Sequence, residues 1–262
     1  MKKNDEIKFQ KKCAKEIKAQ GGSGILKTLS KKWMLESLKT NYTYHFEWLG
    51  RPIIQYPQDI VAMQNLIWKV KPDLIIETGI ARGGSLIFYA SILKLLSLCY
   101  KNFKPKVIGI DIDIRKHNKK SIISHPISKN IKMIEGSSVD ETVIDKIKKI
   151  SKKSKNIMVI LDSNHTHDHV LKELKIYGNF VSKGSYMVVF DTIIEDLPKK
   201  YNANRPWSKG NSPKSAIYEY LKEIKKENIF DKQGNKITFK IDNFYENQNV
   251  ITVAPSGFLK RL

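Results

Sequence analysis

Five short apolar runs recur along this chain, at residues 74–76, 106–110, 130–134, 157–161 and 186–190, and each ends in polar or acidic residues. Runs this short, with helix-sized intervals between them, read as buried strands joined by helical crossovers, which is the pattern of an open, mostly parallel α/β sheet. In such a sheet, ligands bind beyond the carboxyl ends of the strands. Glu77, Asp111, Ser137, Asp162, His165 and Asp191 are therefore expected to share one cleft despite their separation in sequence.

The first run is the most specific. After Leu74–Ile76 the chain reads Glu77-Thr-Gly-Ile-Ala-Arg-Gly-Gly-Ser85, and residues 85–98 then have helical periodicity. A dinucleotide site needs G-x-G-x-x-G so that a pyrophosphate can sit on the helix N-terminus. Here a carboxylate precedes Gly79, and Gly83 and Gly84 follow, with no pyrophosphate cradle. An acid at that place repels phosphate but attracts a cation, and the methionyl end of S-adenosylmethionine carries both an ammonium and a sulfonium. Glu77, Thr78, Gly79, Arg82, Gly83, Gly84 and Ser85 are the expected contacts, with the glycines letting backbone approach the ligand. A strand, turn and helix without a ligand remains the alternative for this segment taken alone.

The second run ends at Asp111, placed to accept hydrogen bonds from ribose hydroxyls or, alternatively, to cap a helix. The third leads to Gly136, Ser137 and Ser138, small residues suited to the border of an adenine ring. The fourth delivers Asp162 and His165 ahead of a helix over 166–180, and the fifth delivers Asp191 and Thr192.

Taken together, residues 76–85, 109–113, 135–138, 161–165, 181–186 and 257–261 resemble the cephalosporin hydroxylase family of S-adenosylmethionine-dependent O-methyltransferases, which is related to macrolide-sugar O-methyltransferases. The resemblance runs from about Gln55 to the C-terminus. It implies a class I methyltransferase fold, Rossmann-like and doubly wound, with a mostly parallel seven-stranded sheet and an N-terminal helical appendage. It further implies Asp162 on a magnesium ion (Mg2+) and His165 as the general base. Methyl transfer is an in-line displacement that needs a positioned hydroxyl and a proton acceptor, and a neutral imidazole meets the second need. Asp162 and Asp191 are the expected metal ligands. Where the family carries Glu-Asp-Thr, however, this chain has Phe190-Asp191-Thr192. Magnesium accepts water or a hydroxyl in place of a carboxylate, so the expectation is weakened metal affinity.

Two other readings of the chemistry stand beside this one. His165, His167 and His169 beside Asp162 and Asp168 suggest a two-histidine, one-carboxylate iron site, but on a helix His167 leaves the face shared by the other two. His167 and His169 read instead as a solvated helix start. The formal charge of +21 suggests RNA, and an RNA methyltransferase is the first alternative function. Against it, only five of the 47 basic residues are arginine and no RNA-binding module is present. Nucleic acid is not the expected partner; a glycan or small-molecule acceptor is, anionic if the basic surface attracts it. A non-catalytic S-adenosylmethionine-binding protein is the second alternative.

Residues 1–50 read as a lysine-rich helical appendage broken at 21–24, and residues 51–262 as the methyltransferase domain. Ile25, Leu26, Leu29, Trp33, Met34 and Leu38 form an apolar stripe suited to packing or to a homo-oligomer contact. Residues 57–70 read as the helix before the first strand. The stretch 195–212 is a long connection, and loops of that length in compact domains are usually functional or disordered; Arg205 and Trp207 in it are candidate acceptor contacts. Residues 236–241 and 249–254 read as the sixth and seventh strands. No run reaches membrane-span length, the N-terminus lacks an apolar signal core, and Cys13 and Cys99 form no disulfide or metal pattern, so a cytoplasmic protein is expected.

Overall fold

The computed structural model describes residues 2–231 and 234–262. Two helices open the chain, Lys2–Gly22 (α1) and Gly24–Lys39 (α2), divided at Ser23, whose hydroxyl accepts the Leu26 N–H as an N-cap. A short hairpin, Glu47–Trp48 (β1) with Arg51–Pro52 (β2), leads to Pro57–Val70 (α3). The alternating part follows as Leu74–Thr78 (β3), Gly84–Cys99 (α4), Lys106–Asp111 (β4), Lys116–Ile123 (α5), Ile131–Glu135 (β5), Glu141–Ser151 (α6), Ile157–Leu161 (β6), His167–Tyr177 (α7) and Tyr186–Val189 (β7). Pro213–Glu227 (α8), Phe239–Ile241 (β8), Phe244–Asn249 (α9) and Phe258–Arg261 (β9) complete it.

The main sheet has seven strands in the order β5-β4-β3-β6-β7-β9-β8. The first five are parallel, while β9 runs antiparallel to both β7 and β8. Every residue of β3 and β6 is buried, as expected for strands covered by helices on both faces. Alternation divides the core. Ile75, Met158, Ile160 and Val188 pack with α3 and α4, whereas Leu74, Ile76, Val159, Leu161 and Met187 pack with α7 and α8. Chain order reverses between β3 and β6, so their carboxyl ends form the topological switch point where ligands of such sheets bind.

The C-terminal expectation needs correcting. Only Phe239–Ile241 of the sixth predicted strand pairs in the sheet, and residues 249–254 form no strand at all. Asp59 of α3, fully buried, accepts from Asn249, from the Thr252 hydroxyl at 2.5 Å and from the Val253 N–H at 3.0 Å, which withdraws that segment from sheet pairing. The seventh strand is Phe258–Arg261, anchored by the buried Arg261 guanidinium on Asp231 at 2.5 Å.

The N-terminal helices lie against the rest of the molecule. Gln20 donates to the carbonyls of Asn247 and Gln248, and Gly21 packs against the Asn247 side chain where α1 crosses α9. In the predicted stripe Met34 is buried, but Ile25 and Leu29 face outward.

Candidate active site

Glu77, Asp111, Asp162 and Asp191 all stand at carboxyl ends of parallel strands or just beyond them. Glu77 is buried and accepts the Ser85 hydroxyl at 2.7 Å. Burial pushes its carboxyl up to about 8, against the opposing effect of hydrogen bonds from Ser85 and Tyr89; the nearby Asp111 adds a smaller upward push. Asp162 is also raised, by burial first and then by the charges of Asp191, Glu77 and Glu173. Carboxylates crowded in this way form a site short of positive charge.

A narrow cleft of about 40 Å³ opens beside them, lined by residues 79–85, Asp162 and the segment Pro52–Gln55. Arg82 lies on its rim. Gln55 is buried, and its Oε1 has no partner among the described residues. This acceptor was not foreseen, because Gln55 precedes the first sheet strand and no local pattern marks it. It reaches the cleft because Gly84 packs on Pro52, where a Cβ would come within 2.2 Å of the Pro52 carbonyl oxygen.

The loop glycines line the cleft and also have a role inside the protein. The missing Cβ of Gly79, at φ +92°, would lie 2.1 Å from the Asp162 carbonyl oxygen, and that of Gly83 would meet Ile122. They let protein approach protein, which draws the tips of β3 and β6 together. Thr78 is fully buried with its hydroxyl unpartnered among the described residues. Asp111 is also partly committed, since Oδ2 accepts from the Ile80 and Ala81 N–H groups at 2.8 and 3.2 Å and Oδ1 accepts from Asp113. Of about four lone-pair positions on a carboxylate, roughly one remains for a ribose hydroxyl.

Below that loop, the Gly136 N–H donates to the Asp111 carbonyl, and Ser137 is half-buried. Ser138 does not join the cleft. It is buried, with its hydroxyl 3.1 Å from His169 Nε2. His169 also lies 3.5 Å from the fully buried Glu173, and His167 contacts the Ser215 hydroxyl at 2.8 Å and Glu219 at 3.2 Å. Neither histidine is solvated as expected, because both clamp α7 to neighbouring elements.

His165 is different. Its Nε2 lies 3.1 Å from Asp191 Oδ2, and its side chain is only 15% exposed. Asp162, His165 and Asp191 each offer a ligand atom within 4.8 Å of the others, the one such group among the described residues. One imidazole with two carboxylates is not the two-histidine iron set. Phe190 is buried in the apolar core and contributes no ligand atom to this group. The long connection completes the wall. Trp207 meets the His165 ring edge-on at 4.7 Å between centroids, and the Arg205 guanidinium lies 5.4 Å from the Trp207 ring. Glu195 holds this segment by accepting from Gly210 and Ser212, and the His167 N–H donates to Asn211.

Known proteins share both sequence and fold with this chain. The chain is 28% identical over 204 residues to the rhamnosyl O-methyltransferase of Mycobacterium tuberculosis (strain ATCC 25618 / H37Rv), covering 78% of this chain and 73% of that protein. It is 25% identical over 231 residues to the rhamnosyl O-methyltransferase of Mycobacterium leprae (strain TN), covering 88% of each. A solved CmcI structure described as a magnesium and S-adenosylmethionine form superimposes with a TM-score of 0.55 at 20% identity, over 84% of this chain and 77% of that one, which shows the shared class I methyltransferase fold. The family model for rhamnosyl O-methyltransferase/CmcI matches residues 40–262, and the chain belongs to that family.

Proposed function

We propose that this chain transfers a methyl group from S-adenosylmethionine to a hydroxyl of a sugar or glycan acceptor. The observation that carries the reading is the meeting of His165, Asp162 and Asp191 at the switch point, next to a cleft bounded by the Gly79–Ser85 loop. Family membership and the rhamnosyl O-methyltransferase relatives support it, and they favour it over RNA methylation and over a non-catalytic binding role.

The residues present suit a cationic cofactor. Glu77, Asp162 and the orphaned Gln55 Oε1 offer acceptors with too few donors, and Asp111 keeps acceptor capacity for a ribose. When bound, S-adenosylmethionine supplies an electrophilic methyl on a sulfonium, which leaves as a neutral thioether once oxygen takes the methyl. Asp191 accepts the His165 Nε2 proton, fixing the tautomer and leaving Nδ1 to take the acceptor's hydroxyl proton as the O–C bond forms. Asp162 and the second oxygen of Asp191 are the groups to hold a magnesium ion, which when present polarises the acceptor oxygen. Trp207 offers an aromatic face to a sugar ring, and Arg205 on that ring favours an acceptor carrying a carboxylate or phosphate.

The test is His165→Ala, followed by calorimetric titration with S-adenosylmethionine and by turnover on a rhamnose-containing acceptor. The expected result is nearly unchanged cofactor affinity with turnover reduced by about 10²–10⁴-fold. Full turnover in the variant would remove His165 from the chemistry.

A further inference from the structure

A second concavity lies at the opposite end of the sheet, by the amino ends of β4 and β5. Its volume is about 460 Å³, within the roughly 300–1,000 Å³ typical of ligand sites. Lys106 opens β4, Lys129 and Lys132 flank the start of β5, and Lys149, Lys152 and Lys153 come from the end of α6. Among the described residues no acidic side chain lines it. Of the acids on these elements, Glu135 pairs with Lys119 at 3.9 Å and Asp145 with Lys148 at 2.8 Å. Ile108, Ile131 and Ile150 form an apolar part of the wall.

Lysines commonly guard an open sheet edge such as β5, and a helix C-terminus favours cations. Those roles explain each lysine singly. They do not require lysines from three elements to converge on one hollow, where a low-dielectric wall focuses their combined potential. Lysine suits phosphate as a point charge. Among the described residues neither an aromatic ring nor an arginine, the groups that a reader of nucleic acid bases uses, lines the hollow.

We infer that this groove binds a diphosphate group, with the isoleucine wall against the body that carries it. Free diphosphate, a nucleotide-activated sugar and a polyprenyl diphosphate share that chemistry. The site is distinct from the cleft at the carboxyl ends of the strands.

The test is calorimetric titration of the full chain at near-physiological salt with inorganic diphosphate, uridine diphosphoglucose and farnesyl diphosphate in separate arms, and with a single-stranded oligoribonucleotide. The groove variant Lys129→Glu/Lys132→Glu/Lys149→Glu is compared with Lys222→Glu/Lys225→Glu/Lys226→Glu on α8, which has the same net charge. A Lys→Gln version of the groove triple guards against misfolding, and S-adenosylmethionine affinity reports on the other site. At least one diphosphate is expected to bind, losing ~10-fold or more in the groove variants and under about 2-fold in the α8 variant. The tightest arm identifies the source. Equal losses in both triples, no binding by any diphosphate, or tighter groove-dependent binding of the oligoribonucleotide would each overturn the inference.

Discussion

Glu77 is a carboxyl whose proton is held by its surroundings. Burial pushes it up to about 8, so at neutral pH most of the ligand-free protein carries it neutral. A cationic ligand pairs with the ionised form, and binding below pH 8 must release that proton. S-adenosylmethionine affinity should therefore rise with pH between 6 and 8, by up to about tenfold per unit, and level off above that. Glu77→Gln should flatten this profile and weaken binding by about 10-fold or more at pH 8.5. Calorimetry across the pH range reads both effects, and a profile as steep in Glu77→Gln as in the parent protein would assign the proton elsewhere. The neighbouring carboxylates were legible in sequence as acids at strand ends. Their partners were not: no spacing rule indicates that Asp111 spends three acceptor positions on its own loops, or that Ser138 turns away toward His169.

At the scale of elements, the site depends on how closely β3 and β6 approach at their tips. Gly79 sets that distance, because its backbone is in the left-handed region and the Asp162 carbonyl fills the space of a Cβ. Gly79→Ala should cost about 2–4 kcal/mol from the combined strain and clash. Denaturant unfolding measures it, and a loss under about 0.5 kcal/mol would show that the loop relaxes freely. The glycine was visible in sequence, and the structure adds a second reason for it. A glycine after a strand announces close approach without saying whether ligand or protein is approaching. The same limit explains the C-terminal error. Residues 249–254 have strand-forming side chains, yet Asp59 from α3 takes their polar groups, while Phe258–Arg261 slots between β7 and β8 through pairings no local window contains.

Across the whole molecule, the carboxyl cluster sets a cost that varies with pH. Glu77 and Asp59 both hold their protons more tightly folded than unfolded, at about 8 and about 6. Groups raised in this way favour the folded state while protonated, so their contribution falls as pH rises from about 4 to 8. Between pH 5 and 8.5 the parent protein should lose stability relative to Glu77→Gln, with the gap narrowing at saturating S-adenosylmethionine; guanidinium unfolding at both pH values measures it. An equal pH dependence in the two proteins would refute the buried carboxyl's role. The sequence by itself determined the alternating α/β architecture, the parallel sheet and the strand tips that carry acids, because burial pattern and turn chemistry are local and repeat with fixed periods. Only the tertiary structure decided which of those acids share a cleft, that Asp191 pairs with His165 and that Gln55 joins them, because the contacts depend on strand order and on backbone packing between residues far apart in the chain.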